Sequence, residues 1–176
     1  QGRLHLSGRA KDLIIRGGHN IDPKVIEDAL GAHPAVALCA AVGAPDAYAG
    51  ELPVAFATLK PGSQVTEAEL LAFTAERVDE SPAKPKSITV LSTMPVTNVG
   101  KIYKPELRTL ATAVVVQKLI HNAMAPLQLA PAQWPQVQAA GDAPVVVDAR
   151  ATPAAAWNTL KPLLDALPVK LVLHAP

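Results

Sequence analysis

Proline placement is the feature that most limits how this chain can fold. Seventeen of its 176 residues are proline, although 49% of the chain is hydrophobic. A proline fixes its own φ angle and lacks a backbone N–H, so it is poorly tolerated inside helices and central strands. The apolar content is too high for a solvated coil. We therefore expect short apolar strands and helices that are started, ended or separated by prolines.

Short apolar runs predict the strands of the first hundred residues. Two of them, at 36–42 and 54–59, are joined by a polar connector at 45–50, which predicts a hairpin with a wide loop. The remaining predicted strands are 4–6, 13–15 and 87–91.

Two helices carry clear start signals. Asp22 followed by Pro23 is typical of a helix N-terminus, and Gly31 predicts its end. Thr66 and Glu69 have the spacing of a capping box. The apolar residues predicted to line these two helices are Val25, Ile26, Ala29 and Leu30 in the first, and Leu70, Leu71, Phe73 and Val78 in the second. A further helix is predicted to begin near Pro105.

Residues 112–176 differ in character and are predicted to form a C-terminal extension. Prolines 126, 131, 135 and 144 space a stretch that we interpret as a connector. The runs 145–147, 153–167 and 169–173 then predict strand, helix and strand, a βαβ unit with parallel strands. The whole chain is expected to be α+β: a small mixed sheet with flanking helices in residues 1–111, followed by this βαβ-like extension.

Charge and composition exclude several classes of function. With 16 Lys and Arg against 15 Asp and Glu, no positive field exists to attract a nucleic acid, and two each of Trp, Tyr and Phe leave few stacking platforms. No apolar run approaches a membrane span, and we expect no secretory leader. The single cysteine, Cys39, lies in an apolar run and is predicted to be unreactive, which favours a reducing, cytoplasmic location.

A P-x-T-x-x-G-K motif ends at Lys101 and begins at Pro95. Gly-Lys alone is typical of an ordinary turn with an exposed lysine. The motif is not a Walker loop, because Pro95 replaces the first glycine and Ile102 the Ser or Thr after the lysine. If Lys101 is functional, its long ammonium side chain would reach into a neighbouring site and stabilise negative charge developing on a phosphate and a carboxylate.

Three further segments each fit an ordinary turn when taken alone. They are G-R-A-K-D at 8–12, R-G-G-H-N-I at 16–21, and the connector from 45 to 51. Paired glycines also allow a ligand to approach the backbone closely.

Taken in order, the segments GRAKDLIIRGGHNIDPKVIE, HPAV, VGAPD, GELPVAF and MPVTNVGK resemble the C-terminal domain of the adenylate-forming superfamily, in particular its acyl-CoA synthetases. The resemblance covers residues 3 to about 110, and the remainder only weakly resembles the C-terminal extension of some acyl-CoA synthetases. The G-G-H-N-I segment is more similar to the G-G-E-N-I of acyl-CoA and fatty-acyl ligases than to the R-G-x-R-I of peptide synthetases. This favours coenzyme A as the acceptor.

The resemblance implies a two-step ligase. A carboxylic acid, with a fatty acid favoured, attacks Mg-ATP to give acyl-adenylate and pyrophosphate, and the thiol of coenzyme A then displaces AMP. ATP, Mg²⁺ and coenzyme A would act in the full-length enzyme, and none is expected to bind tightly to this chain alone. The implied partner is an N-terminal domain of the same enzyme, against which the small domain swings.

The resemblance also implies residue roles. Lys101 falls on the catalytic lysine of the first step, Arg9 on the arginine that holds the nucleotide, and Lys11 on the hinge. Gly17 and Gly18 fall on the wall of the pantetheine tunnel.

Lys84 and Lys86 are candidates to contact the phosphates of coenzyme A. Solvated lysines on a turn are an equally good interpretation of this pair.

The sequence departs from the family pattern at three positions. His19 replaces a common glutamate, Val25 replaces the first glutamate of P-x-E-x-E while Glu27 matches the second, and Ala49 stands at the usual tryptophan of R-W-G-E. These changes affect the thioester step or the identity of the thiol and leave the adenylation lysine intact.

No part of the 176 residues resembles the family's large N-terminal domain, which carries the phosphate loop. We therefore expect a domain cut from a longer enzyme and inactive alone. Two alternatives stay open: a ligase that loads the phosphopantetheine of a carrier protein, and a non-catalytic binding or regulatory module of the same fold.

Overall fold

The computed structural model describes residues 12–176, so the predicted strand at 4–6 and the predicted site residues Arg9 and Lys11 lie outside the described residues. The described chain divides into two compact units, one of residues 12–43 and 51–104, the other of residues 44–50 and 105–176. Its elements in chain order are β1 (Ile14–Arg16), β2 (His19–Ile21), α1 (Pro23–Gly31), β3 (Val36–Asp46), β4 (Gly50–Leu59), α2 (Glu67–Arg77), β5 (Ile88–Val90), α3 (Lys104–Met124), β6 (Gln136–Gln138), β7 (Val146–Asp148), α4 (Ala154–Asp165) and β8 (Val172–His174).

The first sheet is mixed. Its strand order is β2-β1-β4-β3, and β5 also pairs with β4. β1 and β2 are antiparallel, whereas β4 and β5 are parallel. The expected small mixed sheet with flanking helices is therefore confirmed.

β2 is a strand that the sequence analysis missed. It is three residues long, and His19 and Asn20 are polar, so it shows no apolar run. It forms because β1 folds back on it, with Ile14 opposite Ile21 and both side chains buried. Strand pairing, rather than local propensity, creates this element.

The hairpin of β3 and β4 has a shorter loop than predicted, because the two strands extend to Asp46 and from Gly50. The Asp46 carboxylate accepts hydrogen bonds from the backbone N–H of Tyr48, at 3.0 Å, and of Ala49, at 2.8 Å. An aspartate that bonds to the backbone just ahead of it favours a tight turn. The prediction of a wide connector at 45–50 was wrong for this reason.

The first helix begins and ends as predicted. Asp22 caps α1 by accepting from the N–H of Lys24 at 2.9 Å, and the helix ends at Gly31. One predicted core residue is wrong, because Val25 is 46% exposed. Each residue turns the helix by about 100°, so the face that buries Ile26 and Leu30 leaves Val25 outside. The buried residues of α1 are Pro23, Ile26, Ala29 and Leu30.

The predicted capping box of α2 is confirmed. Thr66 Oγ1 accepts from the N–H of Glu69, and the Glu69 carboxylate accepts from the N–H of Thr66. Leu70 and Val78 are buried as predicted, while Leu71 and Phe73 are only partly buried. The core of this unit unites the sheet with both helices and contains Ile14, Ile21, Ile26, Leu30, Val36, Ala55, Ala57, Leu70, Val78 and Ile88.

The second unit contains the predicted βαβ arrangement. β7 and β8 are parallel and are connected through α4. β6, which pairs antiparallel with β7, lies in the stretch that was interpreted as a connector, so that interpretation was incomplete. Its short sequence, Gln-Val-Gln, carries little strand signal without its partner.

A separate apolar cluster holds the second unit together. It combines residues of α3, α4 and the second sheet, namely Val116, Ile120, Met124, Val147, Ala149, Ala156, Trp157, Leu160, Leu164 and Leu167.

The predicted domain boundary between residues 111 and 112 falls within α3 and stays a prediction, whereas the compact units divide after residue 104. Between residues 12 and 176, no helix combines the length and the apolar composition that crossing a membrane requires.

Candidate functional site

The motif that ends at Lys101 folds as a tight hairpin. Val96 and Ile102 form a β-bridge, and the Thr97 N–H donates to the Lys101 carbonyl at 2.7 Å. Within the loop, the Gly100 N–H donates to the Thr97 carbonyl at 2.8 Å, and Gly100 has a φ angle of 78°. A turn followed by a left-handed residue is a common three-residue hairpin loop, and glycine adopts that conformation most easily.

Thr97 also holds the backbone at the lysine itself, because its Oγ1 accepts from the Lys101 N–H at 3.2 Å. Pro95 closes the base of the hairpin, since its carbonyl accepts from the Tyr103 N–H at 2.9 Å. The Lys101 side chain is exposed. The backbone at Lys101 is therefore held by hydrogen bonds, and its ammonium group is open to solvent. The length of the side chain, rather than movement of the hairpin backbone, would let Lys101 extend into a neighbouring site.

An ion pair fixes the segment that follows the hairpin. Lys104 Nζ, at the start of α3, lies 2.7 Å from Glu27 Oε1 on α1, and the two side chains are only 20% and 24% exposed. The same Glu27 oxygen accepts from the Ala41 N–H at 2.9 Å. Among the strands of residues 12–176, β3 lies at the edge of the sheet, and Glu27 supplies an acceptor for its Ala41 amide. We call these three residues the Glu27 anchor.

In the sequence, Glu27 is recognisable only as a match to the family pattern, which does not indicate this role. The signal for it was weak, because its partners Ala41 and Lys104 lie far along the chain. The anchor joins α1 and β3 to the first residue of α3, three positions after Lys101. It therefore bears on how the Lys101 hairpin is held.

Gly17 and Gly18 form the turn between β1 and β2. Their φ angles are 54° and 85°, and Arg16 pairs directly with His19 across the turn. Two consecutive positive φ angles are typical of the two-residue hairpin turn, which favours glycine at both positions. A Cβ atom added at either glycine would meet nothing within 4 Å, so the space beside this turn is open.

The structure brings this turn close to the segment that carries Lys84. Arg16 Nη1 donates to the Pro82 carbonyl at 2.6 Å, and the 3₁₀ turn Ser81–Ala83 lies beside β2. Lys84 follows directly and is partly buried. Lys86 is exposed, and its backbone N–H donates to the Pro53 carbonyl at 2.8 Å. Gly17, Gly18 and Lys84 thus belong to one neighbourhood of the first unit.

Glu51, in the segment similar to R-W-G-E, has a structural partner. Its Oε2 accepts from the Ile15 N–H at 2.8 Å. A Cβ atom at Gly43 would lie 2.5 Å from the Glu51 carboxyl carbon, so glycine at position 43 makes room for this carboxylate. Ala49 adds no aromatic ring at the turn, where its neighbour Tyr48 is 99% exposed.

The low reactivity expected of Cys39 stays a prediction, which the surroundings of its thiol support. Burial raises the pKa of its thiol from 9.0 to about 11, and its Sγ donates to the Glu27 carbonyl at 3.3 Å.

In residues 12–176, no three or more His, Cys, Asp or Glu side chains are grouped so that they could hold a metal ion.

Comparison with known proteins agrees with the resemblance. Residues 25–101 match the family described as AMP-binding enzyme C-terminal domain. Marinolic acid–CoA ligase from Pseudoalteromonas sp. (strain SANK 73390) is 48% identical over 119 residues, which are 68% of this chain and 18% of the relative. The long-chain-fatty-acid–CoA ligase of Bacillus subtilis (strain 168) is 40% identical over 108 residues, 61% of this chain and 19% of the relative. The chain thus spans about a fifth of the length of these curated relatives.

Solved structures show the same relationship. Apo MatB from Rhodopseudomonas palustris is 33% identical with a TM-score of 0.57, over 62% of this chain and 22% of that chain. The amide bond synthetase McbA from Marinactinospora thermotolerans is 30% identical with a TM-score of 0.56, over 61% and 22% of the two chains. Residues 25–101 of this protein therefore match the AMP-binding enzyme C-terminal domain family, and the chain is similar to the C-terminal part of CoA ligases.

Proposed function

We propose that this chain is the mobile C-terminal domain of an ATP-dependent acyl-CoA synthetase. The observation that carries the proposal is the match of residues 25–101 to this domain, which ends at Lys101, together with relatives named as CoA ligases. The full enzyme would activate a carboxylic acid, with a fatty acid favoured, as acyl-adenylate and transfer it to coenzyme A. The cytoplasmic location inferred from the single cysteine stays a prediction.

Lys101 is the proposed catalytic residue of the first step. Negative charge develops on the α-phosphate and on the attacking carboxylate, and an ammonium placed there stabilises the transition state more than the ground state. The hairpin supports this role because it holds the Lys101 backbone by hydrogen bonds and leaves the side chain exposed. ATP would supply the phosphates, and solved neighbours of this chain include ATP-bound MatB. Arg9 is proposed to hold the nucleotide and Lys11 to act as the hinge.

The turn of Gly17 and Gly18 is proposed to face coenzyme A in the second step. The open space beside this turn leaves room for a thin pantetheine chain to pass along the backbone. Lys84 and Lys86 lie on the segment next to it and are proposed to contact the phosphates of coenzyme A.

Coenzyme A is preferred over other acceptors because the similar relatives are named as CoA ligases. One structural neighbour is named as an amide bond synthetase rather than as a CoA ligase. A carrier-protein phosphopantetheine remains the alternative, and Ala49 in place of a tryptophan is the feature that favours it.

The test is Lys101→Ala in the full-length ligase that contains this chain. We expect acid-dependent exchange of pyrophosphate into ATP to fall by about two orders of magnitude or more, since a single transition-state donor is worth roughly 3 kcal/mol. Thioester formation from supplied acyl-adenylate should be largely retained. The matched control is the exposed Lys170→Ala, in the second unit, which should leave both half-reactions unchanged. Unchanged exchange in Lys101→Ala would refute the assigned role.

A further inference from the structure

A cleft of about 720 Å³ lies within the second unit, between α3 and the segment that leads into β6. Its walls come from Gln117, Lys118 and His121 on one side and from Pro131, Trp134 and Gln136 on the other. Binding sites for small molecules commonly enclose about 300–1,000 Å³, so the cleft has the size of one. The two relatives described above match the chain over 119 and 108 residues.

The aromatic wall of the cleft is held in place. Trp134 is partly buried, and its indole Nε1–H donates to the Leu129 carbonyl at 3.3 Å. The His121 imidazole packs against the indole, with the ring centres 5.7 Å apart and the planes tilted by 57°. Gln136 Nε2 donates to the Trp134 carbonyl at 3.0 Å, which orients this amide beside the ring. A fixed indole offers a flat surface on which another flat ring can stack.

The charged side chain that lines the cleft is positive. Lys118 is exposed one helical turn before His121, so both point to the same side of α3. Among the described residues, those that line the cleft include no aspartate or glutamate. An anion entering the cleft would therefore meet an ammonium group and the N–H donors of two glutamine side chains without a carboxylate to repel it.

We propose that this cleft binds a flat aromatic anion, whose ring stacks on Trp134 while its negative group pairs with Lys118. Two sources share this chemistry: an aryl carboxylate, and a nucleotide whose base supplies the ring and whose phosphate supplies the charge. This site is separate from the residues proposed for ligase chemistry, so its failure would leave the proposed function standing.

Intrinsic fluorescence of the 176-residue chain tests the proposal, because only two tryptophans are present and Trp157 is buried in the apolar cluster. Tryptophan fluorescence is excited at long wavelength while one compound at a time is added to the chain. The compounds are benzoate, inosine monophosphate, the neutral analogues benzyl alcohol and inosine, and inorganic phosphate. We expect saturable quenching by benzoate, by the nucleotide or by both, with each neutral analogue at least tenfold weaker and phosphate without effect. Quenching by benzoate alone identifies an aryl carboxylate site, and quenching by the nucleotide alone identifies a nucleotide site.

Variants separate the cleft from the rest of the surface. Trp134→Phe should abolish the quenching, and Lys118→Ala should raise the Kd about tenfold. Lys170→Ala, an exposed lysine of the same unit outside the cleft, should bind as the unchanged chain does. Calorimetry with Trp134→Phe measures binding of the same compounds without relying on the fluorescence of Trp134. The absence of saturable binding, equal binding of charged and neutral analogues, or an unchanged Kd in Lys118→Ala would each overturn the proposal.

Discussion

The side chains of Glu27 and Glu51, in the first unit, accept hydrogen bonds from backbone amides. Glu27 accepts from Ala41 on the edge strand, and Glu51 accepts from Ile15. Leaving such a group without a partner in a partly buried site costs more than the bond itself contributes. Both residues fall on family motifs, and the structure gives them a role in holding the fold around the proposed site.

Glu27→Ala should destabilise the first unit by about 1–3 kcal/mol, because the Ala41 amide and the Lys104 ammonium lose their common partner. Glu27→Gln keeps an acceptor for the amide and should cost less. Urea unfolding followed by circular dichroism measures both. Lys24→Ala on the same helix breaks the exposed pair with Asp28 and serves as the control, for which little change is expected. A Glu27→Ala variant as stable as this control would contradict the role of the Glu27 anchor.

Cys39 should react slowly with iodoacetamide at neutral pH. Its pKa is raised to about 11 by burial, so the neutral thiol persists through the range in which an ordinary thiol ionises. The alkylation rate, followed by mass spectrometry, should therefore climb toward pH 11. Urea-unfolded chain is the control and should react with a midpoint near the ordinary value of 9.0. A native midpoint near that value would show that burial does not protect the thiol.

At the scale of elements, the helix starts depend on interactions between neighbouring residues, whereas the shortest strands depend on pairing with another strand. The caps of α1 and α2 use residues within three positions of each other, so sequence spacing alone predicts them. β2 and β6 are each three residues long and form by pairing with β1 and β7. Their polar residues give no apolar alternation to recognise.

Thr66→Ala should lower stability by about 1 kcal/mol, because the Glu69 N–H loses its capping oxygen. Hydrogen bonds from the Thr66 backbone and hydroxyl lower the pKa of Glu69 below its ordinary 4.5. A carboxyl with a depressed pKa stabilises the fold above its unfolded pKa, and this contribution is lost as pH falls through the folded value. The acid loss of stability should thus begin near pH 4.5 and be weaker in Thr66→Ala.

Thermal unfolding at neutral pH and at acid pH measures this difference. Thr93→Ala, at an exposed threonine in a bend, is the matched control and should behave as the unchanged chain. Equal acid sensitivity of Thr66→Ala and Thr93→Ala would argue against the contribution of the capping box.

At the scale of the molecule, each compact unit has its own apolar cluster. Ile26 and Leu70 are buried in the first, and Leu160 and Val147 in the second. We therefore expect each unit to have a stability of its own.

Leu160→Ala should cost about 2–5 kcal/mol in the second unit, because Leu160 is fully buried and its loss leaves a cavity. Hydrogen exchange read by mass spectrometry should accelerate in β7, α4 and β8 and stay unchanged in β1 and α1. Leu30→Ala is the matched variant of the first unit and should give the reverse pattern. Equal acceleration in both units would show that they unfold together.

How well a feature could be predicted from the sequence depends on how far apart its interacting residues lie along the chain. The capped helices and the motif ending at Lys101 depend on neighbours within a few residues, so they could be recognised from spacing. The βαβ pattern could be recognised from the order of its apolar runs. Glu27 could not be assigned its partners, and Val25 was placed on the wrong face, because both depend on what packs against α1. The wide loop predicted at 45–50 failed because Asp46 turns the chain by its own hydrogen bonds.

The sequence by itself determined the fold class, the family that residues 25–101 match and the residues proposed for chemistry, because ordered motifs and local caps consist of neighbouring residues. Tertiary structure alone decided that the Lys101 motif is a hydrogen-bonded hairpin and that Gly17 and Gly18 turn between paired strands. It also decided that Glu27 joins α1, β3 and α3, and that Trp134 and Lys118 line one cleft. The physical reason is that hydrogen bonds across a turn and contacts between separate segments form only when the chain has folded.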